Sequence, residues 1–186
     1  MKHLIATLIL AGICHQPLQA QETGPEEYGP TLNIGPGIGY YGYVGQSIPA
    51  FHADLEFDIA HNFTLAPFVT VLTYENLYYW GDLDSPFRYY SYRRTIIPVG
   101  LKGIYYFDQL FGAGPKWDFY LGASLGFAFR TTSWEDGYEG EITVSRGESS
   151  VYFDGHIGTE YHFTETIGLQ LDLSPGISTL CLAVHF

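Results

Sequence analysis

The chain has 186 residues with 16 tyrosines, 22 glycines and a formal net charge of −12 at pH 7, and 15% of its residues are charged. This charged fraction is well below the roughly 25% of a typical soluble domain. The acidic balance argues against nucleic acid as a partner, because phosphate groups would be repelled, and the composition excludes a disordered tail, a coiled coil and a disulfide-rich scaffold.

The first twenty residues have the layout of a secretory signal peptide. Lys2 gives a positive start, an apolar run covers Leu4–Ile13, and Ala20 is a small residue at the cleavage position. The apolar run is too short for a transmembrane helix, which needs about 20 residues. The predicted organisation is a cleaved signal peptide (1–20), a short periplasmic segment (21–30) and one folded domain (31–186).

Beyond residue 30, apolar residues alternate with small or polar ones. The clearest case is 117–130, where every odd position from Trp117 to Phe129 is apolar and the even positions are small or polar, apart from Tyr120. Successive side chains of a strand point to opposite faces, so one face of this segment is apolar throughout. A strand of this length exceeds the usual globular strand and is typical of a tilted transmembrane strand.

The alternation predicts eight strands joined by connections of unequal length. The predicted strands are 31–43, 50–60, 63–74, 94–107, 117–131, 150–163, 166–174 and 179–186. The connections 75–93 and 132–149 are much longer than the turns at the other end. We therefore predict an all-β fold, an eight-stranded antiparallel up-and-down transmembrane β-barrel with its termini on the periplasmic side.

Alternation by itself does not say which face is inside. In a soluble eight-stranded barrel the apolar face lines an internal cavity, so a soluble periplasmic barrel that binds an apolar ligand is an alternative. Two features favour the membrane barrel: the polar face is rich in small residues that fit a narrow interior, and aromatic residues cluster near strand ends as in a membrane girdle. Because side chains fill an eight-stranded barrel, we do not expect an open channel.

Two segments carry a resemblance to known proteins. Leu180–Phe186 alternates and ends in Phe, and it resembles the C-terminal assembly signal of bacterial outer-membrane proteins; Ile97–Phe107 resembles a strand common in "porin family" barrels of Bacteroidota. The resemblance implies a small OmpA/OmpX-like barrel, integral to the bacterial outer membrane and in contact with its lipid and lipopolysaccharide. It also implies that the barrel-assembly machinery recognises the last strand through Phe186. It implies no particular activity.

Ten charged residues occupy the alternate strand positions that are predicted to face the barrel interior. They are Asp54, Glu56, Asp58, Arg94, Lys102, Asp118, Arg130, Asp154, Glu160 and Asp172. Buried charges need partners, so we predict that these residues form a charge and hydrogen-bond network, without a cofactor. A second hypothesis is a cation site at Asp54, Glu56 and Asp58, because hard cations take oxygen ligands and these three side chains would share one face.

An enzymatic function is not expected. Inward parity is shared by His52, His156, His162 and His185. With Ser124 and Asp154, a Ser/His/Asp set can be imagined, but no G-x-S-x-G motif accompanies it. The alternative is an outer-membrane enzyme that modifies lipid A.

The predicted connection 75–93 is rich in aromatic residues. Six of them are candidates for a surface interaction: Tyr78, Tyr79, Trp80, Phe87, Tyr89 and Tyr90. Exposed aromatic faces can stack on sugars or pack on a partner, although an aromatic girdle at headgroup level is the other interpretation. We therefore predict a structural, surface-interaction or envelope-complex accessory role, with another envelope protein as a candidate partner.

Overall fold

The computed structural model describes residues 30–40, 48–81, 87–107, 112, 114–140 and 150–186. The predicted signal peptide and nearly all of the predicted periplasmic segment lie outside these residues. The described strands are β1 (Thr31–Gly39), β2 (Ile48–Ala60), β3 (Phe63–Trp80), β4 (Arg88–Tyr106), β5 (Trp117–Trp134), β6 (Val151–His162), β7 (Ile167–Leu173) and β8 (Ile177–His185). The described part of the chain holds no helix long and apolar enough to cross a membrane.

The eight strands form a closed barrel in which each strand pairs antiparallel with its sequence neighbours. β1 and β8 close the barrel, with Thr31 opposite His185 and Gly39 opposite Ile177. The predicted fold class is therefore confirmed. We call the end with Thr31 and His185 the lower end, and the end where β3 and β4 meet the upper end.

Along the strands, side chains at alternate positions point into a polar interior and out to an apolar exterior. On β5, Leu125 and Phe127 are 62% and 59% exposed, whereas Ser124 is 2% exposed. On β2, Asp54 and Glu56 are buried while Phe51 is exposed. The apolar face thus points outward, opposite to the arrangement of a soluble barrel with an apolar ligand cavity, and it suits a hydrocarbon environment.

The interior is layered along the barrel axis. Buried apolar residues around Leu72 and Ile96 form one cluster towards the upper end, and Ile104 and Tyr106 belong to a second cluster nearer the lower end. Lys102 lies between these clusters on β4 and is 2% exposed. Lys102 therefore has apolar side chains above and below it in the interior.

A glycine makes room for one of the large interior side chains. Gly158 is opposite Tyr120 in the β5–β6 register, and a Cβ atom at this position would run into the Tyr120 ring. The ring therefore lies over the glycine, and the Tyr120 hydroxyl donates a 2.9 Å hydrogen bond to Oδ2 of Asp172. Gly158, one of the small residues on the polar face of the strands, thus leaves room for the Tyr120 ring inside the barrel.

The third and fourth strands differ most from their predicted bounds. β3 continues to Trp80 and β4 begins at Arg88, so most of the predicted loop 75–93 is a paired hairpin, with Tyr79 opposite Tyr89. The prediction of a long loop was wrong because aromatic residues occupy both faces of these strand ends, which removes the alternation. β1 ends at Gly39. Residues 41–43 of the predicted first strand and 141–149 of the predicted later loop lie outside the described residues.

Candidate functional site

The interior network centres on a buried lysine. Lys102 Nζ lies 2.9 Å from Oδ2 of Asp54 and 3.5 Å from Oδ2 of Asp172. The three side chains come from β4, β2 and β7 and are at most 3% exposed. A buried charge is tolerated only when it is paired, and Lys102 has two carboxylate partners. Because the three side chains come from different strands, this triad links three walls of the barrel.

Further partners satisfy the carboxylate of Asp54. Nδ2 of Asn33 donates a 2.8 Å hydrogen bond to Oδ1, and Nε2 of His52 lies 2.9 Å from Oδ2. The other ring nitrogen of His52 lies 2.7 Å from the hydroxyl of Thr70. The carboxylate is therefore surrounded by donors from several strands.

Hydroxyl groups satisfy the neighbouring carboxylate of Glu56. Thr64 and Tyr106 each donate a 2.5 Å hydrogen bond to Oε1. Asp58, in contrast, is exposed at the lower end of β2, where the β2–β3 register shifts. Asp58 keeps the inward register of Asp54 and Glu56, because it pairs with the buried Thr64 before the irregularity begins. It is exposed because it lies at the open end of the barrel, and it does not complete a cation site with Asp54 and Glu56.

A Ser–His–Asp chain lies on the opposite wall. Ser124 Oγ is 2.8 Å from Nε2 of His156, whose Nδ1 is 2.7 Å from Oδ1 of Asp172. The sequence suggested Asp154 as the acidic member, and the structure places Asp172 there. The adjoining cavity has a volume of about 10 Å³, which is room for one water molecule.

Asp154 has a different position, near the upper end. Its Oδ2 accepts hydrogen bonds from the Ser174 hydroxyl at 2.6 Å, from the Tyr152 hydroxyl at 3.2 Å and from the amide of Ile177 at 3.3 Å. The carboxylate therefore holds the turn between β7 and β8.

The remaining predicted network residues are distributed along the interior. Arg94 is 7% exposed and Glu160 is 2% exposed, whereas Arg130 and Asp118 are half-buried. Asp118 and Glu160 lie at the lower end, opposite each other in the β5–β6 register. The ten predicted charges thus occupy several separate places rather than one site.

The six aromatic residues predicted for surface interaction fall on two faces of the β3–β4 hairpin. Tyr79, Phe87 and Tyr89 point outward and are 55%, 64% and 64% exposed. The ring centroids of Tyr79 and Tyr89 are 5.0 Å apart, and those of Tyr79 and Phe87 are 5.9 Å apart. We call these three residues, together with Leu77, which is 60% exposed, the outer aromatic patch.

The other face of the hairpin packs against β5 and the segment after it. This inner aromatic cluster contains Tyr78, Trp80, Tyr90, Tyr92, Trp134 and Tyr138. The rings of Trp134 and Tyr138 are stacked at 3.9 Å, and Trp80 meets Tyr90 edge-on at 5.9 Å. Tyr90 is 2% exposed, so this face supports the hairpin rather than offering a surface.

A polar girdle on the outer face separates the outer aromatic patch from the apolar wall below. Nη2 of Arg93 lies 2.6 Å from Oε1 of Glu75, and both side chains are more than 60% exposed. One step lower, the hydroxyls of Thr73 and Thr95 are 3.2 Å apart. Charged groups avoid the hydrocarbon layer, so the outer apolar surface is interrupted at this level.

The position of Glu135 strengthens the base of the hairpin. The amide of Ser91 donates a 2.9 Å hydrogen bond to Oε2 of Glu135, and the Ser91 hydroxyl donates another at 3.2 Å. These bonds, followed by the nearby guanidinium of Arg88, lower the pKa of Glu135 below its ordinary value. The hairpin is thereby attached to the segment after β5.

Comparisons with known proteins agree on the fold. No protein-family model and no curated protein matches the chain. Among solved structures, Neisserial surface protein A is 15% identical with a TM-score of 0.51 over 84% of this chain and 96% of that chain. A de novo designed transmembrane β-barrel (13% identity, TM-score 0.45, 86% and 98% covered) and Ail of Yersinia pestis in complex with sucrose octasulfate (9%, 0.44, 83% and 95%) are more distant. The fold is that of the small outer-membrane barrels.

Proposed function

We propose that this protein is an integral outer-membrane protein whose filled barrel anchors a surface-exposed aromatic patch that binds a partner. In this orientation the lower end faces the periplasm and the upper end faces the outside of the cell. The observation that carries the proposal is the polar girdle of Glu75 and Arg93, which separates the patch from the lipid-facing wall.

The outer wall supports insertion into a membrane. Leu121, Leu125, Phe129 and Phe153 are between 52% and 72% exposed. Burying such side chains in hydrocarbon is worth about 1.5–3 kcal/mol each. Trp117 and Tyr161, with ring centroids 4.7 Å apart at the lower end, suit the membrane interface.

In this proposal the outer aromatic patch lies beyond the hydrocarbon layer. Tyr79 is four residues past Glu75 on β3, which is about 13 Å along the strand at about 3.3 Å per residue. Exposed apolar surface outside the membrane often marks an interaction site. Such rings suit a partner that presents sugar rings or an apolar protein surface, which includes lipopolysaccharide and another envelope protein.

The barrel serves as an anchor rather than as a pore or an enzyme. Lys102 and its partners Asp54 and Asp172 lie between two apolar clusters. The chain of Ser124, His156 and Asp172 adjoins a cavity of about 10 Å³, so we do not propose the lipid A-modifying activity. We also propose that the barrel-assembly machinery recognises β8 and Phe186, the residue that follows it.

A photo-crosslinking experiment tests the interaction. A photoreactive phenylalanine analogue replaces Tyr79 in cells, and Tyr40, which is 51% exposed beyond the upper end of β1, is the matched control position. We expect a discrete adduct, with protein or with lipopolysaccharide, from position 79 only. No adduct at position 79, or the same adduct at both positions, would overturn the proposed interaction.

Two further measurements test the anchor. Envelope fractions are run on a denaturing gel with and without boiling, and the purified protein is added to a planar bilayer. We expect an outer-membrane location with a mobility shift on boiling, and no stable conductance steps. A soluble periplasmic protein would contradict the membrane anchor, and stable conductance would contradict the filled interior.

A further inference from the structure

The lower end of the barrel holds a cluster that neither the Lys102 network nor the hairpin uses. Glu160 and His162 lie near the end of β6, His185 ends β8, and Asp118 lies near the start of β5. Thr31 of β1 is opposite His185 in the β1–β8 register. Residues from four strands therefore meet where the first and last strands join.

Three of these side chains present nitrogen and oxygen atoms to a common point. Oε1 of Glu160 is 2.7 Å from Nε2 of His185 and 3.9 Å from Nδ1 of His162. One ligand atom from each of the three residues lies within 4.8 Å of the others. Ligands of a tetrahedral zinc ion, with bonds of about 2.0–2.1 Å, are about 3.3 Å apart, so side-chain shifts of the order of 1 Å complete the geometry.

The opposite nitrogen of each imidazole ring is already held. Nε2 of His162 is 2.6 Å from Oδ2 of Asp118, and Nδ1 of His185 is 2.8 Å from the hydroxyl of Thr31. A histidine that binds a metal ion almost always donates its second ring N–H to such an acceptor, which fixes the tautomer and the ring orientation. Both rings thus direct their remaining nitrogen towards Glu160.

Burial and charge also fit a divalent cation. The Glu160 side chain is 3% exposed and that of Asp118 is 19% exposed. The two carboxylates together carry two negative charges when ionised, and one divalent ion balances them. His162 and His185 are about one-fifth exposed, which leaves a route from the periplasmic side.

The surrounding packing leaves space for Glu160 and for water. Gly168 is opposite His162 in the β6–β7 register, and a Cβ atom there would collide with the Glu160 carboxylate. Gln170, opposite Glu160, is 1% exposed. Its amide nitrogen and oxygen have no hydrogen-bond partner among the residues that the structure describes, so this layer of the interior needs water or another polar group.

We propose that Glu160, His162 and His185 bind one divalent transition-metal ion of the zinc type, with Asp118 and Thr31 positioning the two histidines and a water molecule as the fourth ligand. Imidazole nitrogen with one carboxylate is a ligand set that zinc prefers, whereas magnesium and calcium prefer oxygen ligands alone. The ion connects β6 directly to β8 and, through the positioning residues, to β5 and β1. It therefore reinforces the seam of the barrel.

The test is zinc binding by the protein purified in detergent without an affinity tag. Calorimetric titration with zinc chloride at neutral pH gives the stoichiometry and affinity, and magnesium chloride is titrated in parallel. The variants are E160Q, H162Q and H185Q. The matched control is H61Q, because His61 is an exposed histidine in the turn at the same end of the barrel.

We expect one zinc ion per chain, no comparable binding of magnesium, and a loss of affinity of at least about tenfold in each of the three variants but not in H61Q. The boiling-dependent gel shift checks that each variant forms a closed barrel. For the wild type, zinc X-ray absorption must show two imidazole ligands, which decides the matter if a variant fails to fold. Absence of stoichiometric zinc binding, unchanged binding in H162Q and H185Q, or a zinc spectrum without imidazole would overturn the proposal.

Discussion

Lys102 and Asp54 form an ion pair across the barrel interior, with Nζ 2.9 Å from Oδ2 and almost no exposure of either side chain. The pair joins β4 to β2, and the contact of Lys102 with Asp172 extends it to β7. Removing one partner of a buried ion pair leaves the other charge uncompensated, which costs more than the pair itself contributes. The network is therefore sensitive to the loss of its lysine.

The first prediction concerns this lysine. Replacing Lys102 with Met leaves Asp54 and Asp172 without their cation and lowers the free energy of unfolding by about 3–5 kcal/mol. Urea unfolding in lipid vesicles measures the change. The exposed Lys116 is the control, and K116M should have little effect. Adding D54N to K102M should recover part of the loss, and simple additivity of the two losses would argue against their coupling.

The second prediction compares two adjacent tyrosines. Tyr106 points inward and donates a hydrogen bond to the buried Glu56, whereas Tyr105 points outward and is 49% exposed. Because leaving a buried acceptor without its donor costs about 1–3 kcal/mol, Y106F should lower the free energy of unfolding by about that amount. Y105F, which removes the same atom from the opposite face, should have a much smaller effect in the same unfolding experiment. Equal losses of unfolding free energy in Y106F and Y105F would mean that the hydrogen bond from Tyr106 to Glu56 makes no particular contribution to stability.

The third prediction locates the edge of the hydrocarbon layer. Leu125 and Leu77 are exposed to a similar extent, 62% and 60%, but Leu125 is in the middle of the apolar wall and Leu77 lies above the pair of Glu75 and Arg93. L125K should destabilise the folded barrel in lipid by about 2–4 kcal/mol, and L77K by no more than about 1 kcal/mol. Unfolding titrations in vesicles check both values. A large loss for L77K would place the outer aromatic patch inside the membrane.

The fourth prediction follows from the lowered pKa of Glu135. The hydrogen bonds from Ser91, and then the charge of Arg88, favour the ionised carboxylate. A carboxyl group with a folded-state pKa below its unfolded value stabilises the fold above the unfolded pKa, and this contribution is lost as the pH falls through the folded pKa. Acidification below about pH 4 should therefore lower the protection of the Ser91 amide, measured as its exchange rate relative to the intrinsic rate at the same pH. In E135Q the exchange of Ser91 should be faster at neutral pH and lack this pH-dependent step; a wild-type profile in E135Q would contradict the assignment.

The proposed zinc site shows what the alternation of side chains along a single strand can predict and what it cannot. His162 and His185 have inward parity near strand ends, and that signal was visible in the sequence. Their proximity to Glu160 was not, because it depends on the closure of β1 with β8 and on the β6–β7 register. The same limit applies to the hydrogen-bonded series of Ser124, His156 and Asp172, for which the sequence suggested Asp154 in place of Asp172.

The β3–β4 hairpin shows a second limit of the sequence analysis, because here the alternation pattern missed strand residues. Alternation identifies a strand only when one face differs from the other, and at Tyr78, Tyr79 and Trp80 both faces are aromatic. The six aromatic residues were found by composition, but their division into an outer patch and an inner cluster depends on the β3–β4 pairing and on the packing of Trp134.

The sequence by itself determined the all-β class, the eight strands and the separation of each strand into an apolar and a polar face, because these follow from the period of two in side-chain direction. Only the tertiary structure decided which face is inside, which charges meet and which inward positions, such as Asp58, are exposed at the barrel end. The physical reason is that strand pairing and barrel closure bring residues together over long sequence separations, and a local period carries no information about register.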